Sequence, residues 1–251
     1  MTTFERLSRI REDRGAGYLI LIDPDNIDEG KLPSFIRNAT EAGVDGFLVG
    51  GSLMMTNELD KQLTLIKRNT TVPVVIFPGS LFQISSVADA ILFLVLISGR
   101  NPEHLIGNQV LAAPIIRKMG LEAISTAYML IGTGKTTSAE FISNTKPIPD
   151  HKPDIAVAHA LAAETIGMKC LYLDAGSGAD VPVPDAMIKA IAGLCSLPII
   201  VGGGVRTPED AARKVAAGAS FLVTGTITEE QDDARTIRRF AEAVHSAKVK
   251  A

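Results

Sequence analysis

The sequence predicts a single (β/α)8 barrel, and three observations carry that expectation. Eight short apolar runs recur along 251 residues, amphipathic stretches separate most of them, and glycine clusters follow the last three. Runs that are apolar on both faces suit parallel strands held between a filled interior and an outer layer of helices; the simple alternation of a sandwich is missing. A length near 250 residues is that of one such barrel.

The strand runs fall at 18–22, 46–49, 74–77, 91–97, 123–130, 170–173, 199–201 and 221–223. Helices are expected over 32–42, 58–69, 109–119, 155–166 and 235–247, where apolar residues recur three or four apart. Thr207-Pro208-Glu209-Asp210 starts another, with a hydroxyl to cap it, proline in its first turn and acids at its positive end; Gly218 stops it. Between Gly79 and Ala90 there are too few residues for a barrel helix, so the third crossover is expected to be a short turn or an extended arc. Residues 131–154 are rich in glycine, threonine and proline, and irregular segments of that length are usually functional. They are expected to form a lid over the fifth strand. With no linker and no solenoid repeat, residues 1–251 are read as one domain.

Composition supports a packed core, with 46% hydrophobic and 21% charged residues. A net charge of -3 and a pI near 5.8 supply no basic field, so nucleic acid is not an expected partner. Cys170 and Cys195 have neither metal-ligand spacing nor a disulfide framework and are read as core residues of a reduced compartment. MTTFERLSRI is charged and lacks an apolar export core, and the run at 90–97 is too short to span a bilayer. A soluble, cytoplasmic protein is expected.

Three glycine clusters follow strands six, seven and eight: Ala175-Gly176-Ser177-Gly178, Gly202-Gly203-Gly204 and Gly225-Thr226. Glycine lets backbone N–H groups approach a phosphate closely, and loops seven and eight are the recurrent phosphate site of such barrels. Tight turns alone are the alternative for any one cluster. Asp23-Pro24-Asp25-Asn26 follows the first strand and Gly50-Gly51-Ser52 the second, placing hard oxygen ligands suited to Mg2+ on the same rim. Turn closure and helix capping by these acids stay open as the alternative. Gly132-Thr133-Gly134-Lys135-Thr136 lacks the first glycine of a P-loop, because Met129 stands there. His104, His151, His159 and His245 show no ligand spacing. Most of 91–97, with Ser98-Gly99-Arg100-Asn101-Pro102 and the helix from Gln109, reads as ordinary core; the alternative is that its upper end lines an apolar groove for a lipid chain, with Arg100 near a diphosphate, and spacing alone decides neither.

Leu21-Ile22-Asp23-Pro24-Asp25, Val49-Gly50-Gly51-Ser52, Ile97-Ser98-Gly99-Arg100-Asn101-Pro102, Lys152-Pro153-Asp154-Ile155, Tyr172-Leu173-Asp174-Ala175-Gly176-Ser177-Gly178 and Val201-Gly202-Gly203-Gly204-Val205-Arg206 together resemble the geranylgeranylglyceryl phosphate synthase family over nearly the whole chain. The resemblance implies transfer of a geranylgeranyl group from its diphosphate to the 3-hydroxyl of sn-glycerol 1-phosphate, the first ether bond of archaeal-type phospholipids. It implies Mg2+ held by Asp23 and Ser52. It implies glycerol phosphate held by Tyr172, Leu173, Asp174, Ala175, Gly176, Ser177, Gly178, Gly203, Gly204, Gly225 and Thr226, with Asp174 the catalytic position, as orienter or base. Many relatives carry glutamate at Asp174 and asparagine at Thr226. A homo-oligomer and transient membrane contact at product release are further expectations. Competing readings are a C35 heptaprenyl donor, a phosphosugar isomerase or synthase of histidine or tryptophan biosynthesis, and a non-catalytic phosphate-binding barrel.

Overall fold

The computed structural model describes residues 1–26, 28–56, 58–132, 134–225 and 234–248. Eight parallel strands form the barrel: β1 (Gly17–Ile22), β2 (Gly46–Val49), β3 (Val74–Ile76), β4 (Ala90–Leu96), β5 (Glu122–Gly132), β6 (Cys170–Asp174), β7 (Ile199–Gly202) and β8 (Phe221–Thr224). Each pairs with its neighbour in chain order and β8 pairs back onto β1, so the sheet closes. A two-residue strand, Ile148–Pro149, extends the sheet beside the upper end of β5.

Helices α1 (Thr3–Arg14), α2 (Leu32–Glu41), α3 (Leu59–Arg68), α4 (Asn108–Met119), α5 (Ser138–Ser143), α6 (Pro153–Thr165), α7 (Asp185–Ala192), α8 (Pro208–Ala216) and α9 (Ala234–Ser246) are the α-helices among the described residues, and Pro24–Asn26 forms a 3-10 turn after β1. Strand alternation divides the core in two. Tyr18, Ile20, Phe47 and Val49 face outward into the helix layer, while Leu19, Leu48, Leu92, Tyr128, Tyr172 and Val223 fill the interior. In α9 the buried residues Ile237, Phe240, Ala241 and Val244 recur at helical spacing, and the Phe240 ring stacks on Tyr18 at 5.9 Å.

The N-terminal helix α1 was not legible in the sequence. Thr2 and Glu5 close a reciprocal capping box at its start, and Leu7, its one buried residue, joins the interior cluster. The Phe4 N–H donates to the Glu122 carboxylate at the start of β5 over 3.1 Å, so α1 plugs the N-terminal end of the barrel. At α8 the expected boundaries are present. The Thr207 hydroxyl accepts from the Asp210 N–H at 3.1 Å, a cap that contributes about 1 kcal/mol, and Gly218 follows the helix with φ +120°.

As expected, no helix forms between β3 and β4. Gln83 organises this arc: its fully buried side chain donates to the Gly51 carbonyl over 2.9 Å and accepts from the Gly79 N–H over 3.1 Å. The lid segment is more regular than expected, since Thr137 caps α5 and Asn144 ends it in the left-handed region. Ahead of α4 the chain makes a π-helical turn, Glu103–Gly107. Cys170 and Cys195 are both buried and unbridged.

Candidate active site

A cavity of about 710 Å³ opens at the C-terminal end of the barrel, within the usual range of small-molecule sites. One side is a polar cup formed by the loops after β6, β7 and β8. The other is an apolar groove formed by Leu81 and Ile84 of the arc, Phe93 and Leu94 of β4, and Ala112 and Ile116 of α4. The groove exists because the third helix does not: nothing regular covers the middle of β4, and Phe93, Leu94 and Val95 are only half-buried. Strand order places β1 and β2 between cup and groove.

Among the cup residues singled out from sequence, Tyr172, Asp174, Ser177, Gly178, Gly203, Gly204 and Gly225 line the cavity. The side chains of Leu173 and Ala175 do not, because the pleat turns them into the helix layer, where both are fully buried. The Ala175 N–H is used by the Gly202 carbonyl at 3.1 Å. Gly176 acts as a support whose N–H donates to Asp174 Oδ1 over 2.7 Å. Thr226 lies outside the described residues. Gly203 has φ +82°, and a Cβ there would stand 2.7 Å from the Gly176 backbone nitrogen and 2.9 Å from Asp174 Oδ1. Glycine at 203 is therefore required both by the turn and by the packing of two loops. At Gly178, φ is +69° but the space is open. Arg206 brings positive charge to the cup's wall, held by the Ala179 carbonyl at 3.4 Å and the Asp180 carboxylate at 3.5 Å.

The floor of the cup is aromatic. Phe77 stacks on Tyr172 at 4.7 Å, and Tyr128 meets both rings edge-on, at 5.8 and 5.6 Å. The Tyr128 hydroxyl donates to Asp174 Oδ2 at 2.5 Å. Burial pushes Asp174 above the ordinary aspartate value, while the Tyr128 hydroxyl and the Gly176 N–H pull it back. Burial and then the Asp174 charge hold Tyr128 and Tyr172 well above the ordinary tyrosine value, so both stay protonated. Tyr128 was not legible as a site residue, because a tyrosine in an apolar strand reads as core.

Asp23 and Ser52 both line the cavity. The Asp23 carboxylate also closes its own turn, with Oδ1 accepting from the Asp25 N–H at 3.1 Å and Oδ2 from the Asn26 amide at 3.2 Å. Half-burial raises Asp23 above its ordinary value, so a cation beside it would offset an existing cost. Asp25 instead pins the β2 loop, accepting from the Met55 and Thr56 N–H groups at 2.6 and 3.2 Å; these bonds hold it below the ordinary value. Among the described residues there is no cluster of three His, Cys, Asp or Glu side chains that could cage a metal. One carboxylate and one hydroxyl do fit Mg2+ that keeps waters and shares a substrate's phosphate oxygens.

Arg100 is turned away from the cavity. Its guanidinium donates to the Gly99 and Ile97 carbonyls at 2.7 and 3.3 Å and faces His159. The surrounding Ser-Gly-Arg-Asn-Pro motif braces the lid. The Ser98 hydroxyl accepts from the Leu130 N–H, and the Asn101 amide donates to the Ser143 carbonyl at 2.8 Å. Lid residues Ser138, Ala139, Ile142 and Ser143 line the cavity.

The model of the PcrB family matches residues 8–244. A geranylgeranylglyceryl phosphate synthase of Chitinophaga pinensis is 47% identical over 230 residues, covering 92% of this chain and 90% of the relative. One of Korarchaeum cryptofilum is 41% identical over 239 residues, covering 95% and 98%. The crystal structure of (S)-3-O-geranylgeranylglyceryl phosphate synthase from Thermoplasma acidophilum, in complex with its substrate sn-glycerol-1-phosphate, superposes with a TM-score of 0.92 at 33% identity, covering 98% of this chain and 99% of that one. With the family match spanning nearly the whole chain and relatives above 40% identity over nine-tenths of it, the chain belongs to the PcrB family.

Proposed function

We propose that the protein is a prenyltransferase that joins the 3-hydroxyl of sn-glycerol 1-phosphate to the geranylgeranyl group of its diphosphate, with release of diphosphate. The observation that carries this is one cavity joining a glycine-walled polar cup to an apolar groove. The cup takes the phosphate of sn-glycerol 1-phosphate on the backbone of Ser177, Gly178, Gly203, Gly204 and Gly225 with Arg206 nearby; Thr226, outside the described residues, is assigned to the same ligand by the family resemblance alone. The groove takes the prenyl chain. Asp23 and Ser52 stand between them in strand order, where a diphosphate would join the two ligands. Mg2+ held by Asp23 and Ser52 would neutralise charge on the departing diphosphate. Asp174 accepts a hydrogen bond from the reacting hydroxyl, and proximity of the two ligands supplies much of the rate.

A phosphosugar isomerase or a phosphate-binding barrel without catalysis gives the groove no purpose. The deciding experiment is incubation with Mg2+, sn-glycerol 1-phosphate and C15, C20 or C35 diphosphates, followed by identification of the ether product. A C20 product supports the reading, preference for C35 replaces it with heptaprenyl transfer, and no ether from any donor overturns it. Omitting Mg2+ should abolish turnover if Asp23 and Ser52 hold the ion.

The outward faces of two helices favour a homo-oligomer. Val110, Leu111 and Ile115 of α4, and Ile155 and Leu161 of α6, are exposed apolar side chains that a second copy of the chain would cover. Light scattering that finds a monomer at working concentration would refute it. Transient membrane contact at product release rests on the amphiphilic chemistry of the product. No helix among the described residues is long and apolar enough to cross a membrane.

A further inference from the structure

Asp174 ends β6 with its carboxylate buried beneath the loops after β6 and β7, and each of its oxygens already has one donor. The Gly176 N–H serves Oδ1 at 2.7 Å and the Tyr128 hydroxyl serves Oδ2 at 2.5 Å. Register explains why Tyr128 is the neighbour. It lies level with Tyr172 in the β5–β6 ladder, and Asp174 stands two residues further on, on the same interior face. The tyrosine therefore points up one pleat repeat, roughly 6–7 Å, to meet the carboxylate. Its ring is fixed by edge-on contact with Phe77 and Tyr172. An ionised carboxylate has about four acceptor positions, so two remain for a ligand in the cavity that Asp174 lines.

We propose that Tyr128 is a positioning residue of the glycerol phosphate site, its hydroxyl fixing the Asp174 carboxylate so that a free lone pair faces the reacting hydroxyl of the substrate. The proposal rests on the reading of the cup as a glycerol phosphate site. Without the Tyr128 hydroxyl, Asp174 can rotate about its side-chain bonds and keeps only the Gly176 N–H as a fixed donor. The same loss changes its charge state. The titratable and charged groups that share the cavity with Asp174 are Tyr128 of β5, Tyr172 of its own strand, Asp23 after β1, His104 of the turn ahead of α4 and Arg206 after β7. Burial already raises Asp174, and the Tyr128 hydroxyl is one of the two contacts opposing that rise. Its removal therefore moves protonation of Asp174 to higher pH.

The test is Tyr128→Phe, which keeps the ring and deletes one oxygen. A hydrogen bond to a charged group corresponds to a change on the order of 10- to 100-fold, and that fall is expected in kcat/KM for sn-glycerol 1-phosphate. The KM for the prenyl diphosphate should stay within about two-fold, since the groove lies elsewhere, and the acid limb of the pH profile should move upward. In Tyr128→Phe/Asp174→Asn the tyrosine change should add almost nothing to Asp174→Asn alone, because both act through one carboxylate. Calorimetric titration with sn-glycerol 1-phosphate repeats the comparison without turnover. An unchanged pH limb, equal losses for both substrates, or additive losses in the double variant would each overturn the assignment. Wild-type protein that makes no ether and binds no sn-glycerol 1-phosphate would overturn the functional reading instead, so the two failures are distinguishable.

Discussion

At the scale of single residues, the cup depends on two glycines in different ways. Gly203 combines positive φ with a backbone neighbour that a Cβ would strike, whereas Gly178 has positive φ alone. Gly203→Ala is expected to cost about 2–4 kcal/mol in stability and to raise KM for sn-glycerol 1-phosphate at least about ten-fold; Gly178→Ala should cost only about 1–2 kcal/mol. Thermal melts and substrate titration of the two variants check the ordering. Asp174 carries a second expectation. Its folded-state pKa is raised by burial, so the folded protein holds the proton more tightly than the unfolded chain does. The stability it contributes is present below the ordinary aspartate value and is lost as pH rises through the raised one. Asp174→Asn, whose amide can still pair with Tyr128 and Gly176, should therefore gain in melting temperature relative to wild type as pH climbs from about 4 to 7. A constant difference across that range would show that burial of the charge is not the cause.

At the scale of elements, the missing third helix is the feature from which the groove follows. Short spacing between the third and fourth apolar runs announced it, and Gln83 shows how the arc is held without a helix. Ala112 on α4 lines the groove while almost fully buried, so Ala112→Phe puts a ring into the channel. We expect kcat/KM for a C20 donor to fall at least about ten-fold relative to a C15 donor, with about 1–3 kcal/mol of overpacking cost and an unchanged KM for sn-glycerol 1-phosphate. Donor competition assays would show it. The lid and the Ser-Gly-Arg-Asn-Pro segment belong together at this scale: the motif is scaffold, bonding α5 through Asn101 and β5 through Ser98. Arg100 was read toward the diphosphate because charge near a groove suggests a ligand. Local carbonyls take it instead.

At the scale of the whole molecule, stability and chemistry occupy opposite ends of the barrel. Leu7 of α1 closes the N-terminal end, and every lining residue of the cup comes from segments at the C-terminal end. Leu7→Ala should cost about 2–4 kcal/mol through the cavity it leaves, while kcat measured well below the melting temperature stays within about two-fold of wild type. Urea denaturation alongside steady-state kinetics makes that comparison. A large fall in kcat in the folded variant would mean that the two ends are coupled.

The sequence by itself determined the barrel, the order of its strands, the helix-free crossover and the three glycine loops at the C-terminal end of the barrel. These are legible because they are local: hydrophobic period, chain length between runs and turn chemistry act within a few residues of one another. Only the tertiary structure decided that Asp23 closes its own turn while lining the cavity, that Leu173 and Ala175 face the helix layer, that α1 plugs the barrel, and that Tyr128 meets Asp174. That last contact spans 46 residues of sequence and depends on strand register and side-chain direction, which the closed sheet sets and no local pattern encodes.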